Sequence, residues 1–269
     1  MSHRHRILVT ACYLTALLTI ASPAATQPSE LPTGESYHME ILGGLWTPTP
    51  EISIASDAFG ISGTDIDFVN DLGIGSERFG ELRLRLRPGR KHRFRIDYLP
   101  ISYSTQAVLK RRLVFRGIAY DIGKQVSSAF SWTAWRLGYE YDVVHRSHGY
   151  FGVIIEAKYT DVEASLATPD GREFTRARGP IPAIGAVLRI SPVPFLSVTA
   201  EVSGIRLPSN LLENYSGEYV DVDVYGTLNF IKQFGIQVGY RSLDLNVSSD
   251  QESGAFKLEG LYMGTLLRF

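Results

Sequence analysis

Period-two alternation, repeated along most of the chain, is the property that most limits what this sequence can fold into. Between Phe79 and Arg87, Leu82, Leu84 and Leu86 interleave with Arg83, Arg85 and Arg87. Between His92 and Ile101, Phe94, Ile96 and Tyr98 interleave with Arg93, Arg95 and Asp97. Successive side chains of a strand point to opposite faces, so each segment reads as a strand with one apolar and one charged face. The same pattern marks Tyr37–Trp46 and Phe130–Val143, the latter opposing Trp135, Leu137, Tyr139 and Tyr141 to Arg136, Gly138, Glu140 and Asp142. It returns in Tyr150–Thr160, Pro180–Ile190, Phe195–Gly204, Glu218–Phe230, Phe234–Leu245 and a last segment ending at Phe269. Ten strands and no helix follow from this reading.

The connections alternate in length. Pro88–Lys91, His145–Gly149, Ser191–Pro194 and Ile231–Gln233 are short, whereas Thr47–Arg78, Ser102–Ala129, Asp161–Gly179, Ile205–Gly217 and Asn246–Ala255 are long. Short turns at one end and long loops at the other are the asymmetry of a membrane-spanning barrel. The segment from Arg112 to Tyr120 is itself strand-like, and is expected as a hairpin standing beyond the membrane; if it crossed instead, Glu51–Ala58 could pair with it and the count would be twelve.

At the C-terminal end Leu261, Met263, Thr265, Leu267 and Phe269 alternate with Gly264, Leu266 and Arg268. An amphipathic strand closing on an aromatic residue resembles the C-terminal signature of Gram-negative outer-membrane β-barrels. The resemblance covers the whole region 37–269 and names no subfamily. It implies an all-β fold, a single antiparallel transmembrane barrel of about ten strands, with eight to twelve possible. It implies residence in the outer membrane among its lipid and lipopolysaccharide. It also implies periplasmic chaperones and a barrel-assembly machinery that reads Leu261, Met263, Leu267 and Phe269. A soluble barrel or sandwich with apolar faces inward is the other fold this alternation allows. The terminal Phe269, the loop asymmetry and the Tyr and Trp near strand ends favour lipid on the apolar side.

The N-terminus fits export. Arg4 and Arg6 precede an apolar run from Ile7 to Ala21, and Ser22-Pro23-Ala24 offers small residues for cleavage, so residues 1–24 read as a signal peptide. The run is shorter than the roughly 20 residues of a spanning helix. Residues 25–36, with two prolines, read as a flexible periplasmic lead-in. Cys12 is the one cysteine, which leaves the mature chain without disulfide or thiol chemistry. Losing Arg4 and Arg6 takes the net charge from −1 to −3, which offers no basic field for nucleic acid.

With the apolar face on lipid, the charges line the lumen. The basic set is Arg83, Arg85, Arg87, Arg93, Arg95, Arg136, Lys158, Arg189, Arg241 and Arg268; the acidic set is Glu40, Glu81, Asp97, Glu140, Asp142, Glu156, Glu201, Asp221 and Asp223. Charges in so confined a space must be paired, so a salt-bridged, closed lumen is expected. A narrow, porin-like anion path along the arginines of the second and third strands is the sharper alternative. Asp65, Asp67 and Asp71 in the first long loop lack the EF-hand spacing and read as a solvated loop rather than a metal site. His38, His92, His145 and His148 fall at periplasmic ends, and no G-x-S-x-G or H-E-x-x-H motif is present. The expectation is therefore a non-enzymatic barrel with no cofactor. The alternatives are a lipid-modifying or proteolytic barrel enzyme, and an adhesin or receptor acting through its external loops.

Overall fold

The computed structural model describes residues 32–169, 171–207, 215–249 and 252–269, and among them ten long strands form one closed antiparallel sheet. They are β1 (Met39–Ser56), β2 (Phe79–Gly89), β3 (His92–Val108), β4 (Gln125–Arg146), β5 (Gly149–Thr168), β6 (Gly171–Val193), β7 (Leu196–Leu207), β8 (Tyr215–Asn229), β9 (Phe234–Ser249) and β10 (Glu252–Arg268). Each pairs with its neighbour in sequence, and β10 closes on β1 from Glu40–Arg268 up to Ser56–Glu252. The expected signal peptide, with Cys12, and residues 25–31 of the expected lead-in lie outside the described residues.

The short turns all lie at one end, where the sheet also carries its irregularities. The ladder shifts between Asp142 and Val144, between Leu86 and Gly89, and between Leu196 and Val198. The first of these bulges explains why both Val143 and Val144 are exposed, which strict alternation forbids.

At the opposite end the expected long loops are largely strand. Asp161–Gly179 continues β5 and β6 as a paired ladder, with Asp161 opposite Arg178 and Thr168 opposite Gly171. Thr47–Ser56 and Ser102–Val108 likewise extend β1 and β3. The alternation persists through these stretches, but its chemistry reverses, which hides it from a search for outward apolar residues. In β4 the outward row reads Tyr141, Tyr139, Leu137 and Trp135, then Thr133, Ser131 and Ser127. The inward row reads Asp142, Glu140 and Arg136, then Trp132, Phe130 and Val126, the last three buried. β3 does the same, with Arg93, Arg95 and Asp97 giving way to Leu99, Ile101 and Tyr103 on one inward row. The lower barrel is thus apolar outside and charged inside, and the upper barrel has the polarity of a soluble protein.

Leu82, Val222 and Val224 are exposed on the lower wall, with Leu84, Leu86 and Val220 on the same outward rows, as the membrane reading requires. Along β10 the outward run from Leu261 to Phe269, at roughly 3.4 Å per residue and about 40° of tilt, covers about 20 Å. That height is close to the roughly 25 Å apolar band of outer-membrane barrels.

Candidate functional site

The lower lumen is filled by ion pairs. Every residue of the expected charge set points inward, and most are buried. Asp221 is the hub: Arg136 reaches it, Arg241 Nε and Nη2 donate to it at 3.0 and 2.7 Å, and Lys158 Nζ donates at 3.2 Å. Lys158 also pairs with Glu156 at 2.9 Å, and Arg136 with Asp97 at 3.5 Å and Glu156 at 3.6 Å. Arg83 binds Glu81 at 3.0 Å and Asp223 at 2.8 Å across the barrel, while Arg85 holds Asp97. Arg93 bridges Glu140 at 2.7 Å and Asp142 at 2.5 Å; Arg95 joins Glu140 at 3.2 Å to Glu201.

Glu40 stands opposite both Arg85 and Arg268 in the sheet and accepts from Arg268 Nε at 2.5 Å. β10 closes against β1, so the last arginine faces the first acid. Arg87 donates to the carbonyls of Glu35 and Arg90.

Several lumenal groups were not singled out in the sequence. Tyr219 and Tyr225 share the inward parity of Asp221 and Asp223, and Tyr262 that of Arg268. Tyr225 donates to Glu201 at 2.7 Å and Tyr262 to Asp223 at 2.8 Å, and Tyr150 lies 3.9 Å below the Arg93 guanidinium. Each tyrosine supplies a hydroxyl or a ring face to a desolvated charge. Glu35 is the other addition. Residues 32–36, the end of the expected lead-in, pack against the periplasmic mouth, where Arg189 Nε donates to Glu35 at 2.8 Å and Thr33 N to Pro194 O at 2.7 Å. Gly34 at φ 81° passes so close to Arg268 that a Cβ would sit 2.1 Å from its Nη1. Burial alone raises the Glu35 carboxyl, but Arg189 and then Arg268 outweigh it and hold the group below its ordinary value.

Little space remains between these side chains. The cavity among Arg95, Arg136, Glu156, Glu201 and Asp221 measures about 10 Å³, as does the one at the mouth beside Glu35, Arg87 and Arg189. Each is the size of a single water.

The upper lumen is closed by apolar packing. β2 starts at Phe79, far short of the upper ends of β1 and β3, and the resulting notch in the wall is sealed by the loop between β1 and β2. Ile66–Asp67 pairs with the upper edge of β1, and Ile66, Phe68, Leu72 and Ile74 are buried. Phe130 packs edge-on to Phe68 at 6.2 Å and stacks on Phe256 at 5.3 Å. The expected external hairpin is present, Leu113–Phe115 pairing with Ile118–Tyr120. Arg111 ties it down, with Nε and Nη2 donating to Asp71 at 2.8 and 2.5 Å.

The loop carboxylates of Asp67 and Asp71 are engaged by other groups. Asp67 accepts from the amides of Val69 and Asn70, both at 2.9 Å, and Asp71 is engaged by Arg111, which holds its carboxyl below the ordinary value. Asp65 is exposed and contributes its carbonyl oxygen, not its carboxylate, to Arg111 at 2.7 Å.

At the tip of this head, Ala58 and Ile61 exchange backbone hydrogen bonds around Phe59 and Gly60, at φ 54° and 72°. Arg116 and Gly117, at φ 50° and 77°, turn the neighbouring hairpin in the same way. Both have the sign pattern of a type I′ turn, which favours Asn, Asp or Gly. The two turns touch: a Cβ on Gly117 would lie 3.1 Å from the Ala58 carbonyl and 3.2 Å from the Phe59 ring. Phe59 is nonetheless 95% exposed.

His38, His92, His145 and His148 lie at the periplasmic end. His92 meets Tyr139 Oη at 2.6 Å and His145 meets Asp142 at 2.9 Å. The expected assembly residues Leu261, Met263, Leu267 and Phe269 form one outward, exposed row.

No family model matches the chain, and no curated protein sequence does. Solved structures do resemble it. The outer membrane protease OmpT from Escherichia coli aligns with TM-score 0.58 at 8% identity over 86% of this chain and 96% of that one. The Pseudomonas putida toluene transporter TodX aligns at TM-score 0.39 and 8% identity, covering 86% and 90%. The attachment invasion locus protein Ail of Yersinia pestis aligns at TM-score 0.37 and 10% identity, covering 86% and 99%. The likeness to OmpT is one of fold.

Proposed function

Because the chain has the fold of a Gram-negative outer-membrane β-barrel, we propose that it is a closed, non-enzymatic barrel whose working surface is its extracellular head. The filled lumen carries this reading. A conduit needs a continuous water path, and both sections of this bore are occupied, one by paired charges and one by aromatic and aliphatic side chains. The non-enzymatic reading is supported by the four described histidines, which stand at the end opposite the head. The experiment is single-channel recording of the folded chain in planar bilayers. The expected wild-type trace shows no steady current. Deletion of residues 62–74 should still conduct poorly, because the charged section below is closed independently. Steady anion-selective wild-type current, lost in Arg85→Ala, would make the protein a channel.

The observation that favours a recognition role for the head is Phe59. Bulky residues in the left-handed region are outliers, and such strain persists where the surroundings impose it, often at sites of function. Here two stacked turns hold an aromatic ring out into solvent. Its expected use is insertion into an apolar pocket of a partner, as an adhesin or receptor would do. Adherence of bacteria displaying Phe59→Asp should fall well below wild type at equal surface levels; equal adherence would remove this reading.

A further inference from the structure

The apolar section of the lumen contains three polar side chains without partners. Tyr103 of β3 and Ser128 and Trp132 of β4 point inward and are buried, and neither hydroxyl nor the indole Nε1 has a hydrogen-bond partner. They share one wall. Tyr103 stands opposite Phe130, between Ser128 and Trp132 on the facing strand, and diagonal neighbours of this kind lie within reach of aromatic side chains. The side chains packed around them are aromatic and aliphatic, Phe79 edge-on to Tyr103 at 5.0 Å and Phe256 beside Trp132 at 6.4 Å. Comparable donors elsewhere in the bore are used. Trp46 Nε1 donates to Gly260 O at 3.2 Å, and Tyr219 and Tyr262 donate to Asp221 and Asp223 at 3.1 and 2.8 Å. Among the described residues the other uncharged side chains left unpaired, Ser197 and Thr227, face each other near the periplasmic end. A buried donor without an acceptor costs stability, and its presence in a native fold calls for a cause.

The external hairpin closes this section with two side chains of its own. Leu113 and Phe115 are fully buried and belong to the same packed cluster as Tyr103 and Trp132. The other fastenings of the hairpin lie at the solvent edge. Arg116 Nη1 donates to Glu252 at 3.2 Å, with side chains 38% and 37% exposed, and the half-exposed Arg111 holds Asp71. Thr64 N donates to Val114 O at 2.8 Å and Arg116 N to Ser56 O at 3.1 Å. Exposed ion pairs contribute little, so Leu113 and Phe115 are the main hold on the closed position. We propose that the space they fill is a binding site for a small neutral aromatic molecule bearing an acceptor oxygen, which Tyr103 and Trp132 hold by hydrogen bonds once the hairpin lifts. The buried cluster contains no charged side chain, which selects a neutral ligand. Its apolar body replaces the bulk of Leu113 and Phe115, and its oxygen gives the buried donors the partner that the closed form lacks. The charged section beneath stays paired, so the molecule is held and not passed on. The Phe59 surface lies outside this site, and the two roles stand or fall separately.

The test uses the full chain folded into nanodiscs and two probes of one shape, 4-fluoroacetophenone and 4-fluoro-α-methylstyrene, in which a methylene replaces the carbonyl oxygen. Fluorine NMR line broadening, compared with empty nanodiscs, reads binding. The ketone should bind wild type saturably. Tyr103→Phe and Trp132→Phe, which keep an aromatic ring and remove a donor, should each bind it about fivefold more weakly, the worth of one hydrogen bond between neutral groups. The styrene should bind wild type no better than the ketone binds these variants. Arg111→Gln/Arg116→Gln, which frees the hairpin, should bind the ketone more tightly, because the competent state is then more populated. Heat-modifiable migration checks that every variant is folded. Wild-type affinity in either donor variant, equal affinity for the two probes, or weaker binding when the hairpin is freed would overturn the proposal. Binding of neither probe, by wild type or by the freed hairpin, would leave water as the partner of the donors and overturn it as well.

Discussion

At the scale of single residues, position along the barrel decides what a charge is worth. Arg95 is fully buried and joins Glu140 to Glu201; removing it leaves Glu201 without its cation in the interior and Glu140 with Arg93 alone. Arg95→Ala should cost about 3–5 kcal/mol, read from urea unfolding of the barrel in lipid. Arg206 and Glu218 form a pair of the same nominal kind on the exposed upper wall, 3.8 Å apart. There Arg206→Ala should cost about 0–1 kcal/mol; equal losses at the two sites would contradict the buried assignment. Glu35 adds a pH dependence. Its folded-state pKa lies below the ordinary 4.5, so its contribution is complete above that value and is lost as pH falls through the lower folded one. Acid should therefore release residues 32–36 from the mouth, seen as faster amide exchange at Thr33, and Glu35→Gln should show that exchange at neutral pH. A variant whose Thr33 exchange matches wild type at pH 7 would remove the latch.

At the scale of elements, the head depends on turns more than on strands. Gly117 combines a left-handed φ with contact against the neighbouring turn, so any side chain there is strained and displaces Ala58 or Phe59. Gly117→Val should part the two turns and speed exchange of the Arg116 amide, which donates to Ser56 O, and of the Thr64 amide, which donates to Val114 O. The barrel itself should stay folded; unchanged exchange at both amides would show that the turns are independent. These elements were also the least legible in the sequence. The ten strands and the external hairpin follow from alternation, because one apolar face repeated every second residue has no other regular solution. The inward charge set follows too, since parity puts these residues on one face and lipid on the apolar side turns that face inward. Which arginine meets which acid does not, because that depends on stagger across the closed sheet, as the Glu40–Arg268 pair shows. The sealing role of the first loop was written as Ile66-x-Phe68 and Leu72-x-Ile74, but Asn70 and Asp71 break the run and the pairs resemble a loop. The upper strand extensions are hidden for a different reason: their outward residues are mostly Ser, Thr, Asp, Glu and Arg, so they look like polar loop.

At the scale of the whole molecule, one set of strands serves two solvents. The prediction is sharp because the boundary is sharp. Leu137, 56% exposed, lies in the outward apolar belt of β4, and Ser131 lies three outward positions higher on the same strand. Leu137→Arg should cost about 2–4 kcal/mol, whereas Ser131→Arg should stay within about 0.5 kcal/mol; comparable costs would place the boundary elsewhere. The reversal of polarity also leaves the barrel no freedom to ride higher or lower. Raising it by one outward position bares Tyr159 and Leu261 to water, and lowering it by one drives Asp161 and Glu259 toward hydrocarbon. Loop barrels with a polar exterior only at their rims can tilt or slide to suit their surroundings, but here the penalty rises in both directions on many strands at once. The molecule is therefore a gauge of its host bilayer. In a thicker membrane it should draw the lipid thin around its wall rather than sink, and among leaflets of unequal depth it should collect where the hydrocarbon matches its belt.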